Sequence, residues 1–283
     1  MIDSLPVPEN YRKHAHKIFR VPAARRLGRF ATETSTHDRW LFVIGCYDSG
    51  TTLFHELLAQ HPAIASLPGE GVFITGELHA PEEFGSVRLI YPVEDKIQAA
   101  DSTADVGRLR EEWGIFLSND RDVALEKSIS NLARLNWLAE SFPNSKFVSL
   151  VRDGRAVSEG IRRRAGAGAY DLPDGKSEHS IGECARQWVY ALDQVSDFKT
   201  QLDPSRFMQT SYEAFCAAPD EVLAEVFRFA ELDPYSVALP DISNRNAKSI
   251  ERLSAKDLHE FSSLAGEHMH ELGYEDEFRE RKL

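Results

Sequence analysis

Trp40-Leu41-Phe42-Val43-Ile44-Gly45-Cys46-Tyr47-Asp48-Ser49-Gly50-Thr51-Thr52-Leu53-Phe54-His55-Glu56-Leu57-Leu58 is the stretch from which the fold can be read. Its opening, WLFVIG, is a short unbroken apolar run ending on glycine, the pattern of a strand covered on both faces. Beyond the turn, Leu53, Phe54, Leu57 and Leu58 share one face of a helix. His61-Pro62 closes that helix, because the residue before proline avoids the α region. Between strand and helix, Gly45 to Thr52 fits the spacing G-x-x-x-x-G-K-[ST], except that Thr51 stands where the lysine belongs. Gly50 lets the backbone turn closely around an anion, and the N–H groups of the helix start point at it. Ser49, Thr51 and Thr52 add hydroxyl donors. The missing lysine is the group that bridges the β- and γ-phosphates of a nucleoside triphosphate. The loop therefore suits a phosphate-like group better than a magnesium–nucleotide tail. The plain alternative is a strand–turn–helix with no ligand.

The pattern repeats outward. Strands are expected at Ala63–Leu67, Asp122–Glu126, Lys146–Val151 and Arg206–Thr210. Helices are expected at Val106–Phe116, Asn131–Ser141, Asp153–Arg164, Ile181–Lys199, Glu221–Ala230 and Lys256–Leu272. Strands alternating with helices imply a parallel sheet with helices on both faces, an α/β fold of the P-loop type. Residues 70–122 have no clear period. Ala165–His179 is Gly-rich and is read either as a lid or as a plain connection.

With 283 residues, 42% of them hydrophobic, the chain can bury one large core. The division expected is a basic arm over 1–38 and a single α/β domain over 39–283. Tyr11–Arg29 carries seven Lys or Arg residues; it is read as a solvated helix, with contact to a partner, a second copy in a homodimer or a membrane surface as the functional alternative. The net charge of −12 excludes binding to nucleic acid through bulk charge. No apolar run is long enough for a membrane helix, and Met1–Asn10 lacks a secretory apolar segment. Cys46, Cys184 and Cys216 have no metal-site spacing and suggest free thiols in a reducing, cytoplasmic setting. His14-x-His16 and His268-x-His270 lack neighbouring ligands, so no metal is assigned. His55 and His61 are read as structural.

A resemblance emerges when further motifs are added. Ser49-Gly50-Thr51-Thr52-Leu53 followed by His61-Pro62 is similar to the 5′-phosphosulfate loop of sulfotransferases that use 3′-phosphoadenosine-5′-phosphosulfate (PAPS). Phe142-Pro143-Asn144-Ser145-Lys146-Phe147, then Val151-Arg152-Asp153-Gly154-Arg155-Ala156, resembles the segment that holds the 3′-phosphate. Glu126-Lys127-Ser128, Cys184–Trp188 and Ser211-Tyr212-Glu213 extend the likeness. The wording is nearest to the tyrosylprotein sulfotransferase branch, and the likeness runs from Leu41 to Ala230.

The resemblance implies a transferase that moves the sulfuryl group from PAPS to a hydroxyl or amine, releases PAP and requires no metal. It places the cofactor on residues 48–52, Arg152, position 160 and Tyr212. Arg152 would fork onto the 3′-phosphate. It makes Lys127 the cation at the bridging oxygen, and Glu70 the general base, with Glu77 as fallback. Three positions depart from the pattern. Asp48 stands where relatives carry a cation, Gly160 where they carry a serine, and Gly71 where they carry a second glutamate. A carboxylate at 48 repels a sulfate unless it turns away onto a cation. Ser158 or Arg162–Arg164 could make good the lost serine. Two rivals follow: a module that binds PAP or a partner without catalysis, and a P-loop kinase. The acceptor is not identified.

Overall fold

The computed structural model describes residues 37–166 and 176–274. The basic arm and the middle of the Gly-rich segment lie outside them. Five strands, β1 (Arg39–Ile44), β2 (Ile64–Ser66), β3 (Val123–Glu126), β4 (Ser145–Val151) and β5 (Phe207–Ser211), form one sheet in the order β2-β3-β1-β4-β5. Every pairing is parallel. The expected strands are all present, each within a few residues of its expected bounds.

Alternation along the strands builds two separate cores. Trp40, Phe42 and Ile44 of β1 face one side with Phe147 of β4, Trp113, Phe142 and Trp188. Leu41 and Val43 face the other with Val148, Leu150, Phe54, Phe215 and Phe227. Because successive side chains point to opposite faces, a run apolar at every position is what a doubly covered strand requires. The first core is an aromatic stack: Phe42 lies 5.2 Å from Phe147 and 5.5 Å from Phe142, and Trp40 lies 5.2 Å from Trp113.

The helices are α1 (Thr51–Leu58), α2 (Glu94–Asp101), α3 (Val106–Gly114), α4 (Leu135–Ser141), α5 (Gly154–Ala165), α6 (Ile181–Gln201), α7 (Tyr212–Ala217), α8 (Pro219–Phe229), α9 (Asn246–Ile250) and α10 (Ala255–Glu271). Three of them, α2, α7 and α9, were not expected. They are short, and α2 has only Ile97 and Asp101 buried, too few apolar positions to show a period. The helix expected from Asn131 instead begins with a 3₁₀ segment at Ile129–Arg134, every residue of which is buried. Its polar side chains turn inward: Asn131 donates to Glu126 (2.5 Å) and Arg134 pairs with Asp101 (2.7 Å).

The topology fixes where a ligand can sit. From β1 the chain leaves through α1 to β2, on the β3 side of the sheet. From β4 it leaves through α5 and α6 to β5, on the other side. The carboxyl ends of β1 and β4 are therefore the switch point where such sheets open a crevice. The phosphate-type loop at 45–50 and the Arg152–Gly154 turn meet there. A cavity of about 420 Å³ lies at the opposite ends of these strands, lined by Arg39, Lys146, Arg206 and Glu231. Its cations are already held: Arg39 by Glu231 and Ala230 O, Lys146 by Glu231 and Phe229 O, Arg206 by Ser145 O. It has no part in the chemistry that follows.

Candidate functional site

The loop after β1 is shaped by close approaches. Gly50 has φ 91°, a left-handed conformation that favours glycine, and a Cβ there would lie 2.9 Å from the Tyr212 ring. A Cβ on Gly45 would lie 2.6 Å from Leu150 O of β4. The turn closes with Ser49 N–H donating to Cys46 O at 3.3 Å. Ser49 and Thr51 are buried and Thr52 is exposed. Gly50 caps α1 without a side chain, so the first-turn N–H groups have no side-chain cap to accept from them. These features form an anion cradle: a tight turn, an open helix start and hydroxyls beside it.

Lys127, just past the end of β3, reaches the open side of this loop. Its Nζ lies 2.8 Å from Glu70 Oε1 and 3.5 Å from Thr52 Oγ1. Glu70 Oε2 also accepts from Ile129 N–H at 3.3 Å. Sequence positions 52, 70 and 127 are thus brought to one point. Gly71 explains the register: a Cβ there would meet Glu126 Oε1 at 2.8 Å and Trp113 at 3.0 Å. No side chain fits, so Glu70 is the carboxylate the turn presents. Glu126 belongs to the interior, wholly buried and bonded to Gly71 N–H, Ser128 and Asn131, its pKa raised by burial. Glu77 does not join the group. It pairs with Arg108 (3.1 Å) and accepts from Asp105 N–H (2.9 Å) at the start of α3.

His55 and His61 are structural. Nε2–H of His55 donates to Ser66 Oγ at 3.0 Å, since the Ser66 hydroxyl itself donates to Leu67 O. Burial, reinforced by Lys127, lowers its pKa to about 3. His61 bonds Asp233 O at 2.9 Å. His268 pairs with Asp193 at 2.9 Å. Among the described residues no cluster of His, Cys, Asp or Glu could hold a metal ion.

On the other side of the loop stands Arg152. Its Nε donates to Asn246 Oδ1 (2.8 Å), its Nη1 to Asp48 O (2.7 Å), and its guanidinium lies 4.1 Å from the centre of the Tyr212 ring. Nη2 has no protein partner among the described residues. The surrounding motifs hold this arginine. Trp188 Nε1–H donates to Arg152 O at 3.0 Å, and Glu213 accepts from Asp153 N–H at 3.1 Å and Asn246 at 2.6 Å. Asp153 caps α5 and fixes Arg155 at 2.7 Å, so Arg155 faces inward rather than to a ligand.

The departures at 48 and 160 meet. The Asp48 carboxylate is 4% exposed and paired with Arg88 and with Arg164 Nε, the latter at 2.9 Å. A Cβ on Gly160 would lie 2.7 Å from Asp48 Cγ. Asp48 thus turns its charge away onto cations, and Gly160 makes the space. Of the expected substitutes, Arg162 pairs with Asp257 and Arg163 with Glu159, while the Ser158 hydroxyl is buried without a partner. Only Arg164 reaches the loop. Arg88 and Asn246 escaped the sequence reading. Both lie in segments without period or motif and arrive through tertiary contact.

A five-stranded parallel sheet with a strand–loop–helix turn and the Arg152 turn side by side at its switch point defines an α/β protein of the P-loop type. Residues 41–236 match the family model described as the sulfotransferase family, and the chain belongs to that family. Protein-tyrosine sulfotransferase 2 of Gallus gallus is 26% identical over 200 residues, 67% of this chain and 50% of that one. Protein-tyrosine sulfotransferase 1 of Mus musculus is 32% identical over 54% of this chain and 40% of its own length. The chain thus spans half or less of these relatives. In fold it is similar to a sulfotransferase of Mycobacterium avium (TM-score 0.58, 12% identity, 94% and 85% of the two chains). It is also similar to the sulfotransferase domain of a Synechococcus olefin synthase (TM-score 0.53, 17% identity, 84% and 96%).

Proposed function

We propose that the chain is a PAPS-dependent sulfotransferase acting on an acceptor hydroxyl or amine. The observation that carries this is Lys127 held between Glu70 and Thr52. It puts a cation, a base and a phosphate-loop hydroxyl at one point. The site fits the donor: the Gly50 turn and the uncapped α1 start suit its 5′-phosphosulfate, and Arg152 keeps Nη2 for the separate 3′-phosphate. When bound, PAPS supplies an activated sulfuryl group on a phosphate leaving group. Glu70 takes the proton of the incoming hydroxyl, which enters on the open side beside Lys127. Lys127 stabilises the negative charge that grows on the bridging oxygen. Asn246, accepting from Nε, and the Tyr212 ring, 4.1 Å away, position the Arg152 guanidinium. The single domain over 39–283 and use of PAPS without a metal are part of this reading. Three free thiols support a reducing compartment. Among the described residues no helix is long and apolar enough to cross a membrane. The relatives are named for protein tyrosine, so phenols head the acceptor panel.

PAP without added metal is expected to raise the melting temperature, as any ligand of the native state does. AMP, which lacks the 3′-phosphate, is expected to give a much smaller shift. Equal shifts would remove Arg152 from its role, and a shift with Mg-ATP but not PAP would favour a kinase. PAP release over an acceptor panel then separates a transferase from a binding module.

A further inference from the structure

We infer that Asp48 is a positioning residue: it holds Arg88 and Arg164 against the phosphate loop so that these arginines supply the cation that position 48 lacks. The inference rests on the reading of this loop as the 5′-phosphosulfate site. Three observations carry it. First, two guanidinium groups converge on one carboxylate that is 4% exposed, with the partly buried Glu82 the further carboxylate near Arg88. The cluster thus fixes two cations beside the loop, where a lysine or arginine at position 48 would bring one. Second, the arginines come from separate elements: Arg88 from the segment between the 3₁₀ turn at Pro81–Phe84 and α2, Arg164 from the last turn of α5. Nothing in either element alone directs both to one point. Third, the arrangement is built rather than incidental. Arg88 has φ 56°, a backbone conformation that side-chain-bearing residues rarely adopt. Its guanidinium lies 4.9 Å from the centre of the Tyr47 ring, and its Nε is buried without a partner. Gly160 supplies the space, since any Cβ there meets Asp48.

Asp48 also has its main-chain oxygen on Arg152 Nη1, so one loop residue holds three arginines: its backbone accepts from Arg152 and its side chain pairs with Arg88 and Arg164. A lone anion in the loop would repel a phosphosulfate; an anion that organises two cations attracts it. The two roles predict opposite signs for the same substitution.

Calorimetry should compare binding of PAP with that of adenosine 3′-phosphate, which lacks the 5′ group. Arg88→Gln is expected to weaken PAP by roughly 10- to 100-fold, the worth of one charge-assisted bond, and to leave adenosine 3′-phosphate unchanged. Arg164→Gln, at a more exposed position, is expected to weaken PAP less, with the same selectivity. Asp48→Asn is expected to weaken PAP, although it removes a negative charge from an anion site. In the Arg88→Gln/Arg164→Gln background, where Asp48 is left uncompensated, Asp48→Asn is expected to strengthen PAP. Tighter PAP binding by Asp48→Asn alone would overturn the inference. So would arginine variants that keep PAP affinity, or that weaken both nucleotides equally. If Asp48→Asn fails to fold, the arginine variants, which leave the loop intact, decide the matter. A wild-type protein that binds no PAP refutes instead the reading on which the inference rests.

Discussion

Lys127 has the Glu70 carboxylate and the Thr52 hydroxyl within reach of one ammonium group, and it is itself buried. In the proposed reaction a charge in that position would stabilise the transition state more than the bound donor, so its loss should appear in kcat. Lys127→Ala is expected to lower kcat by roughly 10²–10³-fold, as for the loss of one oxyanion donor, with PAP affinity little changed. Single-turnover kinetics with calorimetry would check this; a matching loss of PAP affinity would mean that Lys127 binds rather than catalyses. Glu70→Gln is expected to keep PAP binding and lower turnover by roughly 10²–10⁴-fold. Unchanged turnover would make Glu70 a bystander. The structure removes Glu77 as its substitute, because that carboxylate is committed to α3.

At the scale of elements, α5 and the phosphate loop share one contact that only a glycine permits. α5 presents Gly160 to the Asp48 side chain, and a Cβ there would be 2.7 Å from Asp48 Cγ. Gly160→Ser, which restores the residue of the family pattern, is therefore expected to destabilise this chain by roughly 1–3 kcal/mol, the range for overpacking. In an Asp48→Gly background, which removes both the Cγ and the Cβ that lies 2.8 Å away, the same change is expected to cost much less. Urea unfolding of the four proteins gives the coupling energy directly. Additive effects would show that the two positions do not meet.

For the whole molecule, acid sensitivity should reflect the buried histidine of α1. Burial takes His55 from its ordinary 6.5 to about 3. The unfolded chain thus binds a proton that the native state excludes. This contribution to stability is fully present above about pH 6.5 and is lost as pH falls from there towards 3, by about 1.4 kcal/mol per unit. Glu126, whose pKa burial raises, acts in the opposite sense just above the ordinary carboxylate range, so wild type alone does not isolate the effect. His55→Gln is expected to flatten the fall in melting temperature between pH 6.5 and 4.5 relative to wild type. Parallel curves for the two proteins would show that His55 contributes nothing to the slope.

Patterns local in sequence were enough for the sheet, the loop and the Arg152 turn. An apolar run needs two covered faces, a glycine before a helix makes an anion cradle, and neither depends on distant residues. Thr52 belongs to the loop pattern itself; Glu70, Lys127 and Tyr212 were named only by the resemblance to a family, before their proximity was known. Apart from α3, residues 70–122 and the segment around Asn246 stayed illegible, because their 3₁₀ turns and short helices are held by buried polar contacts rather than by an apolar period. Arg134 with Asp101 and Asn246 with Arg152 are such contacts. The direction of the Asp48 side chain was open for the same reason. A carboxylate is repelled by an anion or paired with a cation according to what lies beside it. Here Arg88, forty positions away, and Arg164, on another helix, lie beside it, and only the folded chain brings them there.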